Sequence, residues 1–481
     1  MRAWLIRGVH IRFLGRKLRA RLKAYCTTVR LSDIADLGEA LLEWKNLLAL
    51  VLVCVGIWLV TRVRPLCHAS QIRAANKTPL ASLFRLVVLF VLPAAKRLAR
   101  AAALRFVGRS KLGHMAYTLS REAFQQQLHG QRTDLFTLRG AGGLQVAVSN
   151  YGARLVQVAV PDGQGGLVDV ALGYDSLQGY VDGQLSMGAF IGRWAGRLRG
   201  GKLHLPGGCT LQLPTNSGPH HHHGGPQGSR FQVFGVTEVK PDAMVLTHTF
   251  RTEDDGVPGT VRLTLHLQVT PDNALHMEWM AEVADAATVF NPTGHAFFNL
   301  AGAGSTLGHT LQVPASRYVP LAPDVCPTGT VDSVQGTPFD FRKPRSVADA
   351  TAMPHEQLAR AGGLDHYLVL DDASPVSVAP AATPGLRLAA QLADPASGRA
   401  MQVWSTAPGV QVYAGHGLKG DPARDLGRGP GQGTWLWQPG DGICLEPMEY
   451  PDAPNHLAFP VRWWLPGDVV RGSIVYRFMG P

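Results

Sequence analysis

A strict alternation near the middle of the chain narrows the fold more than any other feature. Val261, Leu263, Leu265, Leu267 and Val269 are interleaved with Arg262, Thr264, His266 and Gln268. After Thr270–Asn273, the residues Leu275, Met277, Trp279, Ala281 and Val283 repeat the pattern with mostly polar partners. Side chains that change face at every residue belong to strands with one buried face, and a Pro-Asp-Asn link predicts an antiparallel hairpin. The same period runs through Leu144, Val146 and Val148, and through Val156, Val158 and Val160 after the Asn150-Tyr151-Gly152 turn. It returns in Ser473–Phe478, where Ile474, Tyr476 and Phe478 share a face. Beyond a short helix near Glu122–Leu128 no long helical periodicity is evident, and 54 glycines and 33 prolines supply turns. The expectation is an all-β fold, a large antiparallel β-sandwich from about residue 135 to the end. Loops rich in Pro, Gly and Ala are expected at Asp371–Gly385 and Gly420–Gly433.

The net charge of +11 is unevenly spread. Residues 1–114 hold 21 Lys and Arg against 4 Asp and Glu, which leaves 25 basic and 31 acidic residues for the rest. The main body therefore has no surplus cation for phosphates, and a nucleic-acid partner is not expected. Two domains follow: residues 1–114, a separate basic and apolar extension, helical or disordered, and residues 115–481, the β domain. Met1–Arg30 mixes Arg and Lys with Trp4, Ile6, Phe13 and Leu14, the pattern of a basic helix lying on a membrane. Leu47–Val60 is apolar throughout, but its 14 residues fall short of the roughly 17–25 that a span needs. Leu86–Ala95 is shorter still, and no secretory leader is expected. Two readings of the extension stay open, a membrane-associated segment or upstream sequence joined to a protein that starts at Met115. Six scattered cysteines without a Cys-x-x-Cys pair suit a reducing compartment, so a cytoplasmic location is expected, with membrane association only through residues 1–114.

Two stretches carry proton chemistry. Asn291–Gly302 sets His295 between a proline turn and an aromatic pair, with Asn299 beyond. Gly442–Asn455 brings the apolar run Ile443, Cys444, Leu445 to a carboxylate at Glu446, which is costly to bury without a purpose. A neutral-range acid and a carboxylate base suit proton transfer without a metal or a nucleophile. In Gly188–Gly201, glycines around Arg193, Arg197 and Arg199 could aim a guanidinium into a cleft; a solvated basic hairpin is the plainer alternative. The run His220–His223 invites a metal, yet neighbours on an extended chain face opposite ways, so one functional histidine, His223, is expected and the others are incidental.

These pieces occur in the order of the aldose 1-epimerase (galactose mutarotase) family, which the chain resembles from about Phe136 to its end. The matching motifs include Asn150-Tyr151-Gly152-Ala153, Leu172-Gly173-Tyr174-Asp175, Ile191-Gly192-Arg193 with Gly196-Arg197, and His223-Gly224-Gly225. Gly256-Val257-Pro258-Gly259, His295 with Phe298-Asn299-Leu300, Gly336-Thr337-Pro338-Phe339-Asp340 and Gly363-Leu364-Asp365-His366 continue the series. It closes with Pro408-Gly409-Val410-Gln411, Cys444-Leu445-Glu446 and Tyr450-Pro451-Asp452-Ala453. The resemblance implies a β-supersandwich and an isomerase, free of metal and other cofactors, that interconverts the anomers of a free aldose. By position, Glu446 would be the base on the C1 hydroxyl and His295 the acid on the ring oxygen, while Arg197, His223, Asp365 and Gln411 would hold the sugar. His222, Gly196, Gly294, Met448 and Phe234 depart from the family's usual leucine, asparagine, asparagine, glutamine and tryptophan. Two alternatives are a hexose 6-phosphate epimerase, for which Arg193 and Arg199 offer cations, and a non-catalytic sugar-binding domain.

Overall fold

The computed structural model describes residues 118–480 apart from residue 184, residues 372–383 and residues 429–433. The expectations for the N-terminal extension and for a start at Met115 lie outside the described residues, as do most of the loop after Asp371 and the end of the Gly420–Gly433 loop. Among the described residues no helix is long and apolar enough to cross a membrane.

The central hairpin forms as its alternation dictates. Val261–Val269 pairs antiparallel with Ala274–Val283 in the register Val269 to Leu275, with the odd-numbered residues of the first strand buried. Asn273 closes the turn with a left-handed backbone, which asparagine tolerates better than most residues. This hairpin lies inside a nine-stranded antiparallel sheet. Gly235–Val239 and Ala243–Phe250 extend it on one side. Val469–Met479, Ala400–Ser405, Arg387–Ala393, Thr310–Gln312 and Arg345–Ser346 extend it on the other. A second, six-stranded sheet runs in the order Phe297–Phe298, Ile443–Met448, Gly409–Tyr413, Asp365–Val369, Arg317–Val319 and Asp332–Ser333. A third, of four strands, holds Leu135–Arg139, Gln145–Ser149, Arg154–Pro161 and Leu167–Asp169. One apolar core joins all three: Leu265, Met277 and Tyr476 from the first, Leu368, Val412 and Leu445 from the second, Val146 and Val158 from the third. The expected antiparallel β-sandwich is present.

The local expectations need three amendments. Val156 does not share a face with Val158 and Val160. Ala147 pairs with Gln157 while Val148 pairs with Leu155, so Val156 is the extra residue of a bulge. It packs with Leu177, Tyr180 and Trp437 in a separate cluster, while Leu155, Val158 and Val160 enter the main core. The last strand begins at Val469, four residues earlier than its sequence suggests. Gly472 hides it, because a residue without a side chain carries no period. A Cβ there would lie 2.3 Å from the ring of its cross-strand partner Trp279, so only glycine lets the indole lie flat on the strand. Near the start of the domain only Glu122–Phe124 turns, as a single 3₁₀ turn. The Thr133 hydroxyl donates to the Phe124 carbonyl at 2.7 Å and so takes the acceptor that a continuing helix would use.

Arg193 and Asp255 form a fully buried, two-pronged ion pair at 2.9 and 3.0 Å, and Arg193 also donates to the carbonyls of Pro258 and Gly259. Burial pushes Asp255 up to about 6 even against the pull of Arg193. The pair therefore fixes a conformation more than it stabilises the fold. Asp255→Ala, which strands the guanidinium, is expected to lower unfolding stability by about 3–5 kcal/mol in urea titrations, against little change if the pair were dispensable.

Candidate active site

The six-stranded sheet has two differently used faces, and the pairing register decides which side chain takes which. Leu368, Val410, Val412, Ile443 and Leu445 point into the main core. The residues between them face the other way: Asp365 and Tyr367, Gln411 and Tyr413, Cys444, Glu446 and Met448. Gln411 pairs directly with both Tyr367 and Glu446, so these side chains lie abreast. Phe297 pairs with Cys444, and His295, two residues earlier at the end of the strand Thr293–His295 that pairs with Ala189–Ile191, reaches Glu446 from there. The outward face floors a cleft of about 450 Å³, and all six residues expected to act, Glu446, His295, Arg197, His223, Asp365 and Gln411, line it.

His295 Nε2 stands 3.7 Å from Glu446 Oε1, and both side chains are buried. Burial pushes the Glu446 carboxyl well above its ordinary value; the charge of Asp365 adds to the rise, and Arg197 opposes it. Burial also pushes His295 down to about 4. Each partner is thus driven toward its neutral form, and between them they hold one proton. On its far side His295 Nδ1 lies 3.7 Å from Cys444 Sγ, whose thiol burial holds well above its usual range, so sulfur is at most a weak donor there. Glu446 Oε2 is buried without a hydrogen-bond partner, an acceptor aimed at the cleft with nothing of the protein to satisfy it.

The other side chains surround this pair. His223 adopts a left-handed backbone at φ 51°. The main-chain N–H of Gly196 donates to its Nδ1 at 3.2 Å, while the His223 N–H donates back to the Gly196 carbonyl at 3.1 Å. With Nδ1 accepting and the ring held neutral by burial, Nε2 carries the hydrogen, and the ring lies edge-on to His295 at 5.2 Å. Arg197 enters from a short strand that pairs with His222, and its Nε is buried without a partner. Gln411 donates to Asp365 Oδ1 at 2.6 Å, which fixes the amide and leaves its oxygen for a ligand.

The histidine run resolves into separate tasks, and the expectation that all but His223 are incidental is too simple. His222 also lines the cleft, its ring 3.7 Å from that of His223. His221 is tied to the Pro214 carbonyl, and His220 accepts from Gly200 N–H beside Cys326. Neither cation considered for a phosphate ester is available: Arg193 is consumed by Asp255, and Arg199 reaches Asp324 and the carbonyls of Cys326 and Pro327. Arg230, Tyr413 and His416 line the cleft unannounced. A lone arginine in Gly-Ser-Arg-Phe gives no sequence signal, and Tyr413 was legible only as the residue two beyond Gln411.

Two groups among the described residues gather metal-type ligand atoms within 4.8 Å of one another: His223, His295 and Glu446, and His220, Asp324 and Cys326. The first consists of the proton carriers and their neighbour. In the second, His220 Nδ1 and Asp324 are already engaged by Gly200 and Arg199. Gly294, beside His295, is explained by packing, since a Cβ there would meet the Tyr476 hydroxyl at 2.8 Å.

Comparison with known proteins agrees with this geometry. A family model described as Aldose 1-epimerase matches residues 134–477. The chain is 31% identical over 337 residues to a galactose mutarotase from Bos taurus, which covers 70% of this chain and 91% of the relative. It is 30% identical over 353 residues to the aldose 1-epimerase of Escherichia coli (strain K12), covering 73% and 96%. Among solved structures, an aldose epimerase homologue from C. elegans superposes with a TM-score of 0.64 at 26% identity, over 72% of this chain and 99% of that one. A galactose 1-epimerase from Lactobacillus acidophilus NCFM gives 0.63 at 26% identity, over 76% and 100%. The chain belongs to the aldose 1-epimerase family.

Proposed function

We propose that this protein is a mutarotase, an isomerase that interconverts the α and β anomers of free aldohexoses such as galactose and glucose. The observation that carries the reading is the buried contact of 3.7 Å between His295 and Glu446, set among side chains suited to hydroxyl groups. The names of the bovine and bacterial relatives support the same activity. A domain that merely bound sugar would gain nothing from a buried carboxyl group set against an imidazole, since each is costly to bury.

The step balances with one proton in hand. Glu446 as carboxylate takes the proton from the C1 hydroxyl while protonated His295 gives one to the ring oxygen. The bond from C1 to that oxygen breaks, and an aldehyde forms. Rotation about C1–C2 presents its other face. Neutral His295 then recovers its proton as the ring oxygen attacks C1, and Glu446 returns its own to O1. The state favoured by burial, protonated Glu446 beside neutral His295, is that of the open-chain intermediate, so the cleft stabilises the species between the two anomers. Arg197 and the hydroxyls of the bound sugar favour the ionised arrangement at either end. His223 as donor, and Asp365 with Gln411 as acceptors, hold the remaining hydroxyls.

Glu446→Gln or His295→Ala is expected to lower polarimetric mutarotation of fresh α-D-galactose by at least about 10²-fold; rates near wild type in both would overturn the assignment. The pH profile provides a separate check. Because His295 is depressed to about 4 and burial raises Glu446 well above the carboxylate range, the carboxyl takes up the pair's first proton and the imidazole the second. The ratio kcat/KM should therefore fall on the acid side near pH 4, where a second proton on His295 leaves no base, and on the alkaline side once Glu446 loses the proton the pair shares and no acid remains. An inflection near ~6.5, the ordinary histidine value, would mean that the imidazole titrates alone.

A further inference from the structure

His222 lines the cleft, yet neither the proton transfer nor the fold accounts for its ring. Its main chain is fully engaged: the N–H donates to Asn216 Oδ1 at 2.8 Å, and the carbonyl accepts from Asn216 Nδ2 at 2.9 Å. It pairs directly with Arg197 across the two short strands, so the two side chains project together, both onto the cleft. The ring packs on that of His223, with centroids 3.7 Å apart and planes tilted by 40°. Among the described residues no hydrogen bond reaches either ring nitrogen. Burial, with Arg197, Arg230, His295 and His221 adding to it, holds the ring well below the ordinary histidine range, so it is neutral, with one nitrogen to donate and one to accept. His223, by contrast, has its Nδ1 committed to Gly196. A half-buried imidazole with both nitrogens unpaired is costly unless a ligand pairs them.

The cleft has changed polarity at three positions in this chain. Positions 196 and 448, where the family usually has amides, carry glycine and methionine. A Cβ at Gly196 would lie 3.3 Å from Pro451 Cβ and 3.4 Å from Met448 Cε, so that corner is apolar. Position 222 departs in the opposite sense, with an imidazole where leucine is usual. Asp365 and Gln411 rise from the six-stranded sheet, whereas His222 comes from the strand pair that carries Arg197, so its contact is separate from theirs. We propose that His222 is a specificity-determining residue whose ring hydrogen-bonds one hydroxyl of the bound aldose, a hydroxyl that the site thereby demands. The proposal rests on the mutarotase reading and adds to it a contact that leucine could not make. A ring that merely propped His223 would need its faces but not its nitrogens, and removing the nitrogens alone separates the two roles.

Anomer exchange measured by magnetisation-transfer NMR on galactose and on its monodeoxy analogues, lacking the hydroxyl at C2, C3, C4 or C6, tests this. For each analogue the penalty is the ratio of kcat/KM for galactose to that for the analogue, taken within one protein and so insensitive to the amount folded. His222→Phe keeps a ring against His223 and removes the nitrogens; His222→Leu removes both. Each should shrink one penalty, the same one in both variants, by about fivefold to tenfold, and leave the others within about twofold of wild type. Wild-type penalties retained in His222→Phe, or a change spread over several analogues, overturn this inference alone. The phenylalanine variant decides if only the leucine variant fails to fold, and failure of both makes the ring a structural member and overturns the inference too. No catalysed exchange of galactose by the wild-type protein overturns the mutarotase reading with it.

Discussion

The site depends on the register of four neighbouring strands. Phe297 opposite Cys444, Gln411 opposite Glu446 and Tyr367 opposite Gln411 are backbone pairings, yet together they decide which side chains meet. A slip of one residue in the Ile443–Met448 strand would send Glu446 into the core and Leu445 into the cleft. The apolar residues between the functional ones prevent this, because Ile443, Leu445, Val410 and Val412 are each buried against the opposing sheet. Burying one such side chain is worth about 1.5–3 kcal/mol, so the core is in effect the device that aims the catalytic pair.

The same burial sets the chemistry. An exposed glutamate and histidine would be an ion pair or two solvated ions at neutral pH. Here desolvation lifts one and lowers the other, so the two ionisation arrangements approach each other in energy. A reversible reaction benefits, since each group must act as donor in one direction and acceptor in the other.

Much of this was legible in the order of residues. The alternation of Val261–Val269 and Leu275–Val283 needed no tertiary information, and Glu446 stood out because its neighbours are apolar. Asp365 and Gln411 could be placed only by resemblance, since nothing local distinguishes them from turn and strand residues. The bulge at Val156 was invisible because alternation cannot show where an extra residue enters. Gly472 removed a period that the Trp279 ring restores across the sheet. Arg230 was silent for a different reason: nothing in Gly-Ser-Arg-Phe marks it, and its place on the cleft wall exists only once the chain is folded.

The reciprocal bond between Gly196 and His223 has a consequence for how the site tolerates change. The group that fixes the imidazole's hydrogen on Nε2 is a peptide N–H, not a side chain. Every encoded residue except proline brings the same N–H, but Gly196 has φ 77°, so the position accepts only residues that tolerate a left-handed backbone. Glycine meets that demand without strain and keeps the donor, and the room it leaves lies toward Pro451 and Met448, where a Cβ would come within 3.3–3.4 Å.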